Sequence, residues 1–179
     1  PVFVVIFGIL LLGYKIELSF LFTLLLALIG VFLVVLPGEK TMVFGDSLGL
    51  IAAIFYAGYI LSIKDLTNFL KPARTLFLVT FVTTFCLLPI SLIENGDLNI
   101  NLSEFFILLA YAIFSQTIAQ GLITSGISRV SAHLSSLVLL MQPVAAALYG
   151  WFLLEEILTP LQVFGGFIVL TAIYMASKK

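Results

Sequence analysis

The sequence predicts an all-α fold, a polytopic membrane helix bundle of six full spans and one truncated span. Three observations predict it. Hydrophobic residues make up 62% of the chain and charged ones 9%, against roughly 25% charged in soluble domains, so a soluble surface of this size would be left uncoated. Several uncharged runs approach or exceed the ~18–20 residues that cross a hydrocarbon core about 30 Å thick. Lys and Arg, finally, fall almost entirely on one set of alternating loops.

Residues 1–12 would form a helix only about 18 Å long, too short to cross. The chain opens on Pro1 without Met and without a basic lead-in, so no signal peptide is expected. Its first run is expected to be a membrane helix cut short, in a fragment of a longer protein. Full spans are predicted near 19–36, 46–64, 75–93, 104–126, 131–154 and 160–177. Between them lie Gly13–Glu17, Pro37-Gly38-Glu39-Lys40, Lys64 to Arg74 with Pro72, the turn at Glu94-Asn95-Gly96-Asp97, Ser125 to Arg129, and Glu155 to Thr159. These are ordinary helix stops, and Pro160 stands where a helix starts without losing a needed donor.

If the loops alternate sides, Lys15, Lys64, Lys71, Arg74, Arg129, Lys178 and Lys179 share one side and Lys40 stands alone on the other. The positive-inside bias then places the larger group and the C-terminus in the cytoplasm. The expected location is the cell (inner) membrane, multi-pass, with 37–45, 94–103 and 155–159 facing out. The Asn101-Leu102-Ser103 sequon on that side reads as chance.

Composition also excludes functions. A net charge of −1 implies no nucleic-acid partner. The single Cys86, within an apolar run, supports neither a disulfide framework nor a metal pair. No His, Cys or acidic group has metal-ligand spacing, so no metal and no cofactor are expected. Gly45-Asp46-Ser47-Leu48-Gly49 matches the serine-hydrolase elbow G-x-S-x-G, but it opens a membrane helix rather than a strand-to-helix turn. His133, the only histidine, lies near the other end of another span, roughly 30 Å away, too far to act as base. It reads as a packing or interfacial residue, and no enzyme is expected.

The stretch Ser131–Lys179 carries the most organisation. It reads as a long apolar helix with Pro143 near its middle, an acidic stop at Glu155–Glu156, and a second apolar helix. The start of the chain repeats it: Pro1 falls on Pro143, Val2 on Val144, Gly8 on Gly150, Leu11–Leu12 on Leu153–Leu154 and Phe22 on Phe164. A shared plan at a fixed offset marks internal duplication.

Helix faces supply the candidate site. Gly45, Gly49, Ala53 and Ala57 recur every four residues and read as a packing seam, with Tyr56 and Tyr59 beside it as cavity-lining or packing residues. Thr80 and Thr84 share a face, which back-bonding to their own helix explains equally well. Ala112, Gln116, Gln120 and Thr124 form a stripe with two amides at mid-membrane depth, costly unless they meet partners or water. Ser135, Gln142 and Tyr149 follow at intervals of seven, and Glu156 continues that face. If the two stripes meet, Gln116, Gln120, Ser135, Gln142, Pro143, Tyr149 and Tyr56 line a polar cavity; otherwise the amides only hold helices together. Pro143 would free a backbone carbonyl beside Gln142. Glu156 is a coupling acid or an acidic membrane boundary.

These residues resemble the EamA branch of the drug/metabolite transporter superfamily. The likeness is closest in SAHLSSLVLLMQPVAAALYGWFLLEEILTPLQVFGGFIVL, with the family's proline, acidic pair and glycine-containing last helix. GDSLGLIAAIFYAGYILSIKDL looks like the start of a second repeat, and PVFVVIFGILLLGYKIELSFLFTLLLALIGVFLVVLPG like the end of a first. The resemblance implies part of a ten-helix inverted-repeat transporter with both termini cytoplasmic, starting inside helix four. Residues 1–37 would end the first repeat, 38–45 form an outer linker and 46–177 the second repeat. Glu156 matches the family's acidic position, where the first copy has Tyr14. The function implied is secondary transport of small metabolites or drugs, mostly outward, by alternating access between repeats. The alternative is a non-transporting membrane module whose polar faces serve packing. Expected partners are a small-molecule solute, the lipid bilayer, and the missing N-terminal helices or a homo-oligomer; the fragment alone is expected to be inactive.

Overall fold

A computed structural model describes residues 1–35, 43–94 and 101–178. Of the breaks expected at Pro37-Gly38-Glu39-Lys40 and Glu94-Asn95-Gly96-Asp97, residues 37–40 and 95–97 lie outside the described residues. The helices are α1 (Val2–Leu12), α2 (Leu18–Val35), α3 (Val43–Phe69), α4 (Pro72–Glu94) and α5 (Leu102–Tyr111), then a π-helical segment (Ala112–Ala119) and α6 (Gln120–Arg129). α7 (Ala132–Val138), α8 (Met141–Leu153) and α9 (Pro160–Ser177) complete the chain. Among the described residues, six helical runs are long and apolar enough to cross a membrane, and α1 is shorter. The protein is an all-α polytopic membrane bundle.

Two spans differ in form from the expectation. The run at 131–154 is not one helix: it breaks at Leu139–Leu140, and Pro143 sits in the first turn of α8. The ring cannot donate to the carbonyl of Leu139 four residues back, and the Gln142 N–H takes that oxygen at 3.1 Å instead. The carbonyl expected to be left free is thus bonded. The run at 104–126 holds the π segment, where the Thr117 hydroxyl reaches five residues back to the Ala112 carbonyl at 3.2 Å.

The chain divides into two compact units, residues 1–61 with 131–179, and residues 62–130. In the first, α2 and α9 run antiparallel with backbones touching. A Cβ on Gly30 would stand 2.8 Å from the Gly165 carbonyl oxygen, and one on Gly165 would stand 2.6 Å from that of Gly30. Only glycine allows this approach, which in a membrane replaces the hydrophobic drive with close packing. The Gln162 side-chain amide donates to the Val34 carbonyl at 3.3 Å. Val34, Val144 and Val169 pack beside the seam, as do Leu24, Ala27, Leu137 and Ala172 further along. α9 starts with a capping box between Thr159 and Gln162 and Pro160 in its first turn. Such a box satisfies two of the donors a helix start leaves unpaired.

The small-residue seam expected on α3 is closed only at Ala57, which packs with Val4, Ile60, Leu61 and Ala132. Gly45, Gly49 and Ala53 are exposed, and a Cβ on Gly49 would meet nothing within 4 Å.

In the second unit α4 packs on α6, and Thr75, Thr124 and Ile127 are buried. Lys64 Nζ donates to the carbonyls of Ile127 and Ser128, at 3.3 and 3.1 Å, closing the end of α6. Every residue of α4 from Phe81 to Ile93 is exposed, as is all of α5. The Thr84 hydroxyl back-bonds to the Thr80 carbonyl at 2.8 Å. Asn101 of the sequon caps α5: its side chain accepts from Glu104 N–H, and Glu104 returns the bond.

Candidate functional site

In the first unit, α3 carries Tyr56 and α8 carries Gln142, and their side chains lie within interaction range of each other. The Tyr59 ring stacks on Tyr56 with centroids 5.8 Å apart and planes at 18°. Gln142 and Tyr56 are both exposed within that unit. An amide and two phenols held together at the break between α7 and α8 can offer donors and acceptors to a solute without any net charge. Pro143 shapes this point by preventing α7 from running straight into α8.

The spacing of seven does not survive the break as a single face. Ser135 is buried and its hydroxyl donates to the Ser131 carbonyl at 2.9 Å, whereas Gln142 and Tyr149 are exposed. Glu156 does not continue that face either, because α8 ends at Leu153. The chain doubles back, and the Glu156 carboxylate lies over Gly150, with an oxygen 2.5 Å from where a Cβ would stand. Gly150 O accepts from Leu154 N at 3.0 Å and from Glu156 N at 3.2 Å. Glu155 takes up the left-handed conformation at φ 55, which helix ends usually assign to glycine. A cleft of about 690 Å³ lies beside it, walled by Leu148, Trp151, Phe152 and Val163.

The start of the chain ends its helix in the same way. Gly13 stands at φ 65, Tyr14 N donates to Gly8 O at 2.9 Å, and the Tyr14 ring lies over Gly8, 2.9 Å from a hypothetical Cβ. The offset that superimposes the two sequences also superimposes this cap, Gly8 on Gly150, Gly13 on Glu155 and Tyr14 on Glu156.

The second unit holds the other two amides. Gln116 lies within the π segment and Gln120 follows it directly. A groove of about 560 Å³ runs between α4 and this helix, with Thr80, Gln116, Thr117 and Ser125 among its walls. The Thr117 and Ser125 hydroxyl protons are spent on carbonyls of their own helix, so these two side chains present only lone pairs. Thr80 and Thr117 were not singled out as site residues, and nothing in the sequence 112–119 signals a π turn.

Each of the three amides therefore sits at a departure from regular α-helix, where backbone groups are re-paired locally. Such departures in membrane helices are tolerated next to protein or water and often mark functional positions. His133 is elsewhere: its Nε2 is 3.0 Å from Ser131 Oγ and its ring meets Phe20 edge-on at 4.8 Å, a packing arrangement. Among the described residues no group of His, Cys, Asp or Glu could hold a metal ion.

Neutral polar groups at mid-span in an otherwise apolar helical bundle suit passage of a solute, and the chain's relatives agree. The model of the EamA-like transporter family matches residues 43–178. The chain belongs to this family. Two uncharacterized transporters of Archaeoglobus fulgidus are similar to this EamA-like chain. One is 29% identical over 155 residues, 87% of the chain and 50% of that protein. The other is 25% identical over 179 residues, 100% of the chain and 64% of that protein. A pseudopaline exporter of Pseudomonas aeruginosa is 26% identical over 179 residues, 99% of the chain and 62% of that protein. The chain thus spans between half and two-thirds of the length of these relatives. No solved structure matches it.

Proposed function

We propose that this chain is the greater part of a secondary transporter that exports small metabolites or drugs by alternating access between inverted repeats. Residues 1–37 close the first repeat, 38–45 link, and 46–177 form the second repeat. The carrying observation is the Tyr56–Gln142 pair with Tyr59, an uncharged polar cluster at a helix break. Gln116 and Gln120 are further amide candidates within the second unit, and Tyr149 and Ser135 flank Gln142 along the chain. The likeness to an exporter supports the outward direction. The bias of seven of eight basic residues supports a cytoplasmic C-terminus in the cell membrane. Activity then belongs to the whole protein, including helices upstream of this chain, and the isolated 179 residues are expected to carry no flux.

Cysteine accessibility tests the reading without a known substrate. In the whole protein with Cys86→Ser, cysteines at 116, 120 and 142 should react with a hydrophilic maleimide from the aqueous phase. Complete protection of all three would leave only helix packing for these amides. One observation favours that second reading, a membrane module without transport: the hydroxyls of Thr84, Thr117, Thr124, Ser125 and Ser135 all bond to their own helices.

A further inference from the structure

The groove between α4 and α6 has a chemistry of its own at its shallow end. Its walls there are Ala73, Leu76 and Phe77 from α4, with Gly121, Leu122 and Ser125 from α6. Gly121 leaves the space open: a Cβ there would meet only Leu76 Cδ2, at 3.7 Å. Ser125 contributes little polarity, because its proton is bonded to the Gly121 carbonyl at 2.8 Å. From Ala73 to Thr80 the slot extends about 10 Å along α4, and exposed Phe77 and Leu122 flank it on the lipid side.

Cations gather where this slot meets the end of the helices. Arg74 follows Ala73 in the first turn of α4, and Lys71 immediately precedes that helix. Arg129 lies one turn beyond Ser125 on the same face of α6 and, like Lys71 and Arg74, is exposed. Lys64 adds its charge there, donating to Ile127 O and Ser128 O. Against these the second unit sets Asp65 at this end, whereas Glu94 and Glu104 lie at the far ends of α4 and α5. Positive charge at the interface above an apolar slot between two helices complements a molecule with an anionic head and an alkyl tail.

We infer that this groove is a binding site for an anionic phospholipid, its head phosphate at Lys71, Arg74 and Arg129 and one acyl chain along Leu76, Phe77 and Leu122. The bilayer is the source of the ligand. Arginine suits the phosphate because its planar guanidinium presents paired donors to two oxygens. The chain's upper methylenes replace solvent or loosely packed lipid against the slot, and the deeper polar residues Thr80 and Gln116 mark where the tail leaves it.

The test uses tryptophan quenching by brominated lipid in reconstituted protein. Trp151 is the only tryptophan of these 179 residues, so Trp151→Phe, with any tryptophan of the upstream helices likewise changed to Phe, gives a dark background for a reporter in the groove, Phe77→Trp. A second reporter, Phe85→Trp, lies on the same exposed aromatic ladder of α4, about 12 Å further from the charges. Dibromo-acyl phosphatidylglycerol should be preferred over the phosphatidylcholine analogue about threefold or more at Phe77→Trp, and bind about equally at Phe85→Trp. The double variant Arg74→Gln with Arg129→Gln, at exposed helix ends, should bring the Phe77→Trp ratio down to that at Phe85→Trp. The inference is overturned by equal ratios at the two reporters, or by a preference that the double variant leaves intact.

Discussion

Two helix ends in this molecule follow one plan with different residues. At the end of α1 a glycine takes the left-handed position and a tyrosine ring covers Gly8; at the end of α8 Glu155 takes that position and a carboxylate covers Gly150. The first is the arrangement local physics prefers, since a residue with a Cβ costs roughly 1–2 kcal/mol in the left-handed region. The second places two carboxylates at the mouth of an apolar cleft against that preference. A geometry that persists while its residues change from apolar and relaxed to charged and strained shows what the cap needs, a glycine six residues back to lie against. The need is for a small residue at that place rather than for glycine itself, and it does not extend to any one covering side chain.

Substitutions can break this comparison. The largest effect is expected at Gly8→Leu, where the new side chain meets an aromatic ring and overpacks a buried position. The cost should be about 2 kcal/mol in an unfolding titration with dodecyl sulfate in mixed micelles. Gln142→Leu addresses the amide that precedes Pro143 at the start of α8. Flux in the whole protein should fall about tenfold, equivalent to ~1.4 kcal/mol, with expression unchanged; normal flux would remove Gln142 from the pathway. Glu155→Gly should convert the strained cap to the relaxed one and raise stability by about 1 kcal/mol, and Gly13→Glu should lower it by a similar amount. The smallest effect is expected at Gly150→Ala. There the displaced neighbour is the end of a flexible carboxylate, and the helix gains about 0.8–1.0 kcal/mol of propensity, so the same titration should shift by less than about 0.5 kcal/mol.

The same pair of caps shows what could be read in advance. The span boundaries were legible because glycine, proline and charge punctuate apolar runs, and the offset between the copies was legible because Gly8 and Gly150 keep their place. The strain at Glu155 was not, since nothing in a Glu-Glu pair announces a positive φ. Pro143 announced a disturbance, but the break falls three to four residues earlier, where its missing donor would have bonded. The π turn at 112–119 left no mark, because it contains neither glycine nor proline. Tyr56 and Gln142 were each candidates on separate faces; their contact depends on where α3 lies against α8, which periodicity does not encode. The glycines of α2 and α9 were visible as residues, but their meeting was not.

That last contact sets an order of events in the life of the chain. Val34 and Gln162, which bridge α2 and α9, are 128 residues apart. A ribosome adding roughly 5–20 residues per second leaves α2 in the bilayer for on the order of ten seconds before its partner is made. Through that interval the groove at Gly30 must face lipid or a chaperoning neighbour. The first unit is therefore sealed by α9, after α3 to α8 have entered the membrane.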